Sequence, residues 1–209
     1  MATPPTSDGR ETAKSYHHGA LREALLEAAE RLLERDGIAG LTLRAAAREA
    51  GASHAAPKNH FGDLAGLLSE LAAVGFGRFA GHLGAAAAAQ STAQAKLNAI
   101  GRAYVEFALA NPGLFQLMFR GERLDRSRPA LRDAMDAAYE LLTAGVAAAH
   151  PSAPDSDSPV ATAARVARAW SMVHGYAMLL LDGRLDPLLS EHSPPIAAPA
   201  LLDAMLNID

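Results

Sequence analysis

The segment Leu41–Phe61, LTLRAAAREAGASHAAPKNHF, leaves this chain few folds to choose from. Thr42 is a helix-capping residue type, and Leu43, Ala46, Ala47 and Ala50 recur behind it at helical spacing. Gly51 follows the last of them, where a helix commonly stops in a left-handed turn that costs a glycine nothing. Ser53 is placed to cap a second short helix running to about Asn59. Ala47 and Gly51 lack bulk, so the two helices can cross at close range, with Leu43 and Phe61 as the large residues available to hold them together. A glycine turn followed by a polar second helix is the form of a DNA-reading helix-turn-helix. An antiparallel helical hairpin with no such role carries the same Ala-x-x-x-Gly spacing, so the segment alone leaves both readings open.

The flanks favour the first. His18–Gly37 is a strongly amphipathic helix whose Leu21, Leu25, Ala28, Ala29 and Leu32 form one apolar stripe, and Gly37 ends it. Downstream, Asp63 is placed to cap a helix carrying Leu67, Leu68, Leu71 and Val74. The result is a three-helix unit with a linking helix leaving it.

From Leu21 through Leu68 the sequence resembles the TetR family of bacterial transcriptional repressors. The residues that carry the likeness are the Leu-Leu-Glu-Ala-Ala run, Gly37-Ile38, Leu41-Thr42-Leu43-Arg44, Ala47-x-x-x-Gly51-Ala52-Ser53 and His60-Phe61. The resemblance implies a DNA-binding protein in which Thr42 and Arg44 hold phosphates at the start of a positioning helix. Ser53, His54, Ala55, Lys58, Asn59 and His60 then present a recognition helix to the major groove of double-stranded DNA. Asn59 and His54 are the expected base readers, since asparagine matches an adenine edge and histidine can donate to guanine, while Ala55 fits against a thymine methyl. The family pattern has an aromatic residue at the place of Lys58 and a lysine at the place of Leu64, both contacting phosphate. Lys58 keeps a cation at the first; Leu64 loses it at the second.

Charge does not advertise a partner of this kind. The chain carries a formal net charge of -4, and residues 1–64 hold eight basic against nine acidic side chains. This counts against a general DNA coat but does not exclude a sequence reader, because what matters is the face the cations occupy. Glu23, Glu27, Glu30 and Glu34 recur at helical spacing away from the recognition helix, while Lys14, Arg22, Arg44 and Lys58 are expected on the DNA side. Arg31 reads as a solvated helix face. The absence of cysteine excludes disulfides, thiolate nucleophiles and cysteine-ligated zinc. With no signal-type h-region and no apolar run judged long enough to span a bilayer, a soluble cytoplasmic protein without membrane contact is expected.

The rest of the chain reads as further helices and no strand, giving an all-α fold. A break is expected at Gly84–Thr92, then a helix over Lys96–Ala110 stopped by Asn111-Pro112-Gly113, a short apolar helical turn over Leu114–Phe119, and a helix opened by Pro129. The tract Pro151–Pro159 is a polar connector. The expected organisation is a flexible arm over 1–16, the helix-turn-helix domain over 17–63 and an effector-binding and dimerisation domain over 64–209.

Val160–Leu181 is apolar on more than one side, so it needs partners on both. Either it lies wholly inside a monomer, or it pairs with the final helix Pro199–Leu206 and their symmetry mates in a homodimer, with Met172, Tyr176, Leu202 and Met205 as contacts. Trp170–Gly183, with its tryptophan and His-Gly pair, and Asn111–Phe119 resemble the C-terminal domain of one subgroup of the same family. That likeness implies a small effector, and an apolar C-terminal bundle with aromatics on three helices makes a mostly apolar one the expectation. Tyr104, Phe107, Phe115, Met118, Tyr139, Trp170 and His174 are the candidates for its pocket, although a filled aromatic core and a hydrogen-bonded core histidine are the default readings of the same residues. No phosphate loop, His-Glu-x-x-His or Gly-x-Ser-x-Gly motif occurs, the His17-His18 pair cannot share a helix face, and neither a catalytic constellation, a metal site nor a cofactor is expected.

Overall fold

A computed structural model describes residues 9–151, 158–191 and 194–208, with side chains from residue 20 onward except that of Arg120. Among these residues there are ten helices and no strand. They are α1 (Gly9–Gly40), α2 (Leu43–Glu49), α3 (Ala56–Phe61), α4 (Leu64–Ala88), α5 (Ala93–Ala110), α6 (Pro112–Arg120), α7 (Pro129–Ala149), α8 (Pro159–Leu181), α9 (Asp186–Ser190) and α10 (Ala198–Leu206).

Local chemistry sets most of the boundaries. The Thr42 hydroxyl accepts from the Ala45 amide at 3.1 Å, Asp63 accepts from the Gly66 amide at 2.8 Å, and Thr92 and Ser158 cap α5 and α8 in the same way. Gly51 turns between α2 and α3 at φ 64°, a conformation that a residue with a Cβ adopts only under strain. Pro112, Pro129 and Pro159 each open a helix where the missing amide proton costs nothing.

Several expectations need correction. Helical backbone begins at Gly9, inside the expected 1–16 arm, and α1 continues past a break at Gly37 (φ 68°, ψ -178°) to Gly40. Ser53 is not the side-chain cap of α3. The helix starts at Ala56 with no side-chain cap, because Pro57 fixes the first turn, and only the Ser53 carbonyl takes part, accepting from the Ala56 amide at 3.0 Å. The alanine run after Gly84 stays helical to Ala88, since alanine is the best helix former and the run outweighs one glycine. By length and composition, α4 is apolar enough to cross a bilayer. Its apolar residues are instead buried against α5 and α7, in the manner of a central core helix.

Leu25, Leu32, Leu41 and Phe61 close the core of the N-terminal unit, and α4 carries that core without interruption into the C-terminal bundle through Leu67, Leu71, Phe76, Phe79 and Leu83. Each such side chain contributes about 1.5–3 kcal/mol on burial. A continuous core through α4 means that a shift of this helix is felt at both ends.

Candidate functional site

Two features stand out, an exposed polar face on α2 and α3 and a cavity in the C-terminal bundle.

On the first, α3 divides cleanly. Ala56, Pro57 and Phe61 are buried, while Lys58 and Asn59 are exposed together with Ser53, His54 and Ala55 of the preceding turn. His60 is half-buried, its ring 6.1 Å from that of Phe61. Thr42 and Arg44 are exposed on the adjoining end of α2. The Thr42 oxygen is occupied by its capping bond but its hydroxyl proton remains available to a phosphate. Arg48 lies one turn beyond Arg44 and is also exposed; its i, i+4 spacing from Arg44 was the sequence signal for including it.

Electrostatics single out the same face. Arg31 and Arg35 pair with Glu49 at 3.3 and 3.4 Å, Arg78 pairs with Glu30 at 2.6 Å, and Arg22 pairs with Glu70. Among the described residues no acidic group pairs with Arg44, Arg48 or Lys58. The near-neutral domain therefore concentrates its uncompensated positive charge on α2 and α3. Arg22 is corrected to a structural residue, since it also lies 5.8 Å over the Phe61 ring. The side chain of Lys14 lies outside the described residues. Leu64 packs against the core.

The second feature is a cavity of about 860 Å³, open to solvent on one side and lined by α4, α5, α6, α7, α8 and the end of α10. Of the seven expected lining residues, Tyr104, Met118, Tyr139, Trp170 and His174 line it. Phe107 and Phe115 stand behind the wall instead, Phe107 edge-on to Phe79 at 5.2 Å and Phe115 against Phe119 at 4.7 Å. Phe76, Phe79 and Phe119 complete the aromatic wall. Phe119 was legible as the i+4 partner of Phe115, whereas α4 gave no sign of which phenylalanines face inward.

Within this apolar wall sits a short polar chain. The Trp170 indole N–H donates to the Tyr104 hydroxyl at 3.4 Å, and that hydroxyl lies 2.8 Å from His174 Nδ1. The Tyr104 hydroxyl therefore sits between the indole and the imidazole and ties α5 to α8 at two points. Burial pushes the Tyr104 hydroxyl well above the ordinary phenol range, with the Trp170 hydrogen bond offsetting part of that shift. His174 thus belongs both to a hydrogen-bonded core and to the cavity surface.

The cavity is joined to the N-terminal unit by hydrogen bonds. The Glu34 carboxylate of α1 accepts from the Gly113 and Leu114 amides at 3.2 and 2.9 Å, so it caps α6, and α6 supplies Met118 and Phe119 to the cavity.

The expected dimer contacts are placed differently from expectation. Tyr176 and Leu202 are only 3% and 4% exposed, and Tyr176 donates to the Ala198 carbonyl at 2.6 Å within the same chain. Met172 and Met205 line the cavity. These four residues pack α8 and α10 inside one protomer, while Val160 and Leu179 on α8 stay exposed. Among the described residues no group of three His, Asp or Glu side chains could hold a metal ion.

Comparison with known proteins agrees with both halves of this description. Residues 25–71 match the model for bacterial regulatory proteins of the tetR family, and residues 97–205 match that for the tetracyclin repressor-like C-terminal domain. A Rhodococcus sp. RHA1 protein of unknown function is 37% identical, with 92% of this chain and 94% of that one covered at a TM-score of 0.73. The TetR family regulator PfmR of Thermus thermophilus shares the fold at 21% identity, 88% and 94% coverage and a TM-score of 0.61. A TetR family regulator of Marinobacter aquaeolei shares it at 13% identity, 92% and 96% coverage and a TM-score of 0.59. No protein of curated function matches the sequence. With a matched DNA-binding unit at one end and a matched C-terminal domain over more than half its length, the chain belongs to the TetR family, whose members are DNA-binding transcriptional regulators with a ligand-binding C-terminal domain rather than enzymes.

Proposed function

We propose that this protein is a dimeric cytoplasmic repressor, released from a palindromic operator by a small, mostly apolar effector. The observation that carries the reading is the pairing of an uncompensated cationic helix-turn-helix face with a large aromatic cavity, joined through the Glu34 cap on α6. Thr42, Arg44, Arg48, Lys58 and His60 engage phosphates, and Ser53, His54, Ala55 and Asn59 meet base edges. The effector sits against Tyr104, Met118, Tyr139, Trp170 and His174, with Phe107 and Phe115 stiffening the wall behind it.

The dimer forms through the outward face of α8. Val160, Ala164, Ala167, Ser171, Gly175 and Leu179 recur at helical spacing there, and a Cβ built on Gly175 meets open space. Small side chains let two copies of this helix approach closely about a twofold axis. Ligand entry shifts α6 and α4 and so alters the spacing of the two recognition helices, to the extent that the ligand prefers one state over the other.

Selection from random duplex DNA, followed by gel shift with the enriched sequence and with DNA upstream of the protein's own gene, tests the reading. A near-palindromic site with half-sites about one helical turn, ~34–36 Å, or slightly more apart is expected. Failure to enrich any sequence would favour the rival reading, a helical small-molecule-binding protein whose DNA contacts have weakened. The core-packed Leu64 is the feature that speaks for that rival.

A further inference from the structure

The cavity wall carries two kinds of polar group. Its ionisable side chains at the rim, Arg126, Asp136, His150, Arg165 and Arg168, are none of them buried. Solvent and salt screen such groups, so they add little to the binding of a head group. Among the described residues two polar side chains of the wall are buried, Tyr104 and Asn98, at 5% and 7% exposure. The Tyr104 hydroxyl is already held between Trp170 and His174. Asn98 has hydrogen-bonding capacity to spare.

That capacity follows from the polarity of a chain of three amides. Asn207 donates from Nδ2 to the Asp203 carbonyl at 2.7 Å. A carbonyl can only accept, so the other end of this amide, Oδ1, must be an acceptor as well. Asn98 accordingly donates from Nδ2 to Asn207 Oδ1 at 3.1 Å, and its own Oδ1 accepts from Gln94 Nε2 at 2.9 Å. One backbone carbonyl thus orients every amide of the chain. A primary amide has two N–H donors and two acceptor lone pairs, so Asn98 keeps one of each at the cavity surface.

Along α5 the positions 94, 97, 98, 101 and 104 share the face that lines the cavity. The rise from Asn98 to Tyr104 is about 9 Å. Tyr104 stands edge-on to Phe79 at 5.0 Å and lies 6.0 Å from Phe119, so a medium-length apolar body beginning at Asn98 ends among aromatic rings.

Building on the reading of this cavity as the effector site, we infer that the effector is an uncharged amphiphile whose hydroxyl or amide head binds Asn98 and whose apolar body lies along α5 towards Phe79 and Phe119. A hydroxyl or an amide both donates and accepts, and so meets the remaining N–H and the remaining lone pair of Asn98 together. A carboxylate only accepts and an ammonium only donates, so each leaves one of the two unmet. Either also gives up the hydration of a full charge to reach a buried amide.

Three probes with one apolar body test the assignment: octanamide, octanoate and octylammonium, titrated into the full-length protein at about 0.15 M salt. The fluorescence of Trp170, the sole tryptophan and a cavity residue, is the readout. Octanamide should bind about tenfold more tightly than either ion, the effect of one to two hydrogen bonds. Asn98→Leu should remove that advantage and leave the two ions unchanged; Gln94 and Asn207 are exposed, so water replaces the bonds they lose. Asn98→Asp keeps the size of the side chain but only accepts, and should pass the preference to octylammonium, a gain of binding that a misfolded variant would not show. An ion that binds wild type as tightly as octanamide overturns the uncharged head and leaves the effector site standing. An octanamide advantage that persists in both variants overturns the placement at Asn98. No binding by any probe overturns both the inference and the reading of the cavity as a site for an apolar body.

Discussion

Arg128, the residue that precedes α7 in the C-terminal bundle, donates from Nη2 to the carbonyl of Phe61, the last residue of α3, at 3.1 Å. The same guanidinium lies 3.5 Å from Glu70 and 3.6 Å from Asp125, and Glu70 in turn receives Arg22 above the Phe61 ring. One arginine therefore links the end of the recognition helix to α4, to α1 and to the loop between α6 and α7. Space for it exists because residue 66 is glycine, where a Cβ would fall 2.0 Å from the Phe61 carbonyl oxygen and 2.6 Å from Nη2.

Removing this link should loosen the recognition helix before it unfolds the bundle. Arg128→Ala is expected to cost about 1–3 kcal/mol, the range for losing a charged hydrogen bond and stranding its partners. Specific DNA affinity should fall in a gel shift while quenching of Trp170 by a cavity ligand stays near wild type. Equal loss of both would show that Arg128 supports the whole protein rather than the α3 end.

On the DNA face, Asn59→Ala and Lys58→Ala should separate two kinds of contact. The first should relax sequence preference by about 1–3 kcal/mol at one base position, as for other bidentate base contacts. The second should weaken binding to all sequences and lower the salt slope by about one unit. Identical behaviour of the two variants on operator and random duplex would rule out this division.

For assembly, Ser171→Arg and Gly175→Glu on the outward side of α8 should give monomers in analytical ultracentrifugation with helicity intact, because neither position is buried in the protomer. Leu202→Glu, by contrast, should destabilise the protomer itself, since that side chain is buried within the chain. Dimers that persist in both α8 variants would place the interface on another surface.

Tyr104 predicts an alkaline weakness. Burial raises its folded-state pKa above the unfolded value of about 10. The native protein therefore keeps this proton at a pH where the unfolded chain has released it, so the contribution is complete below about pH 10 and is lost as pH rises beyond that. Tyr104→Phe should flatten the fall of denaturant midpoint above that pH, and an unchanged profile would assign the loss to other groups.

How far the sequence revealed this arrangement depended on whether the determinant was local. Thr42, Gly51, Asp63 and Pro129 each act within one turn of their own position, and all four do in the structure what their residue types imply. Ser53 misled because Pro57, four residues on, sets the start of α3 more firmly than a hydroxyl does. Tyr176 and Leu202 are apolar in the pattern of an interface, yet α10 folds back on α5 and α8 and consumes them. Periodicity marks a covered face without naming what covers it. The aromatic part of the cavity was legible from α5, α6 and α8. Its polar end was not, because Arg165, Arg168, His150 and the α5 amides come to one cavity only through tertiary packing.

The most direct test of regulation couples the two sites in one titration. Labelled operator duplex is bound to the protein, a cavity ligand is added, and DNA anisotropy is followed alongside Trp170 fluorescence. Release of DNA should track quenching along one ligand curve, with coupling of about 1–3 kcal/mol, and operator DNA should weaken ligand binding by the same factor. Ligands that saturate Trp170 quenching while operator affinity stays constant would contradict an effector-controlled repressor.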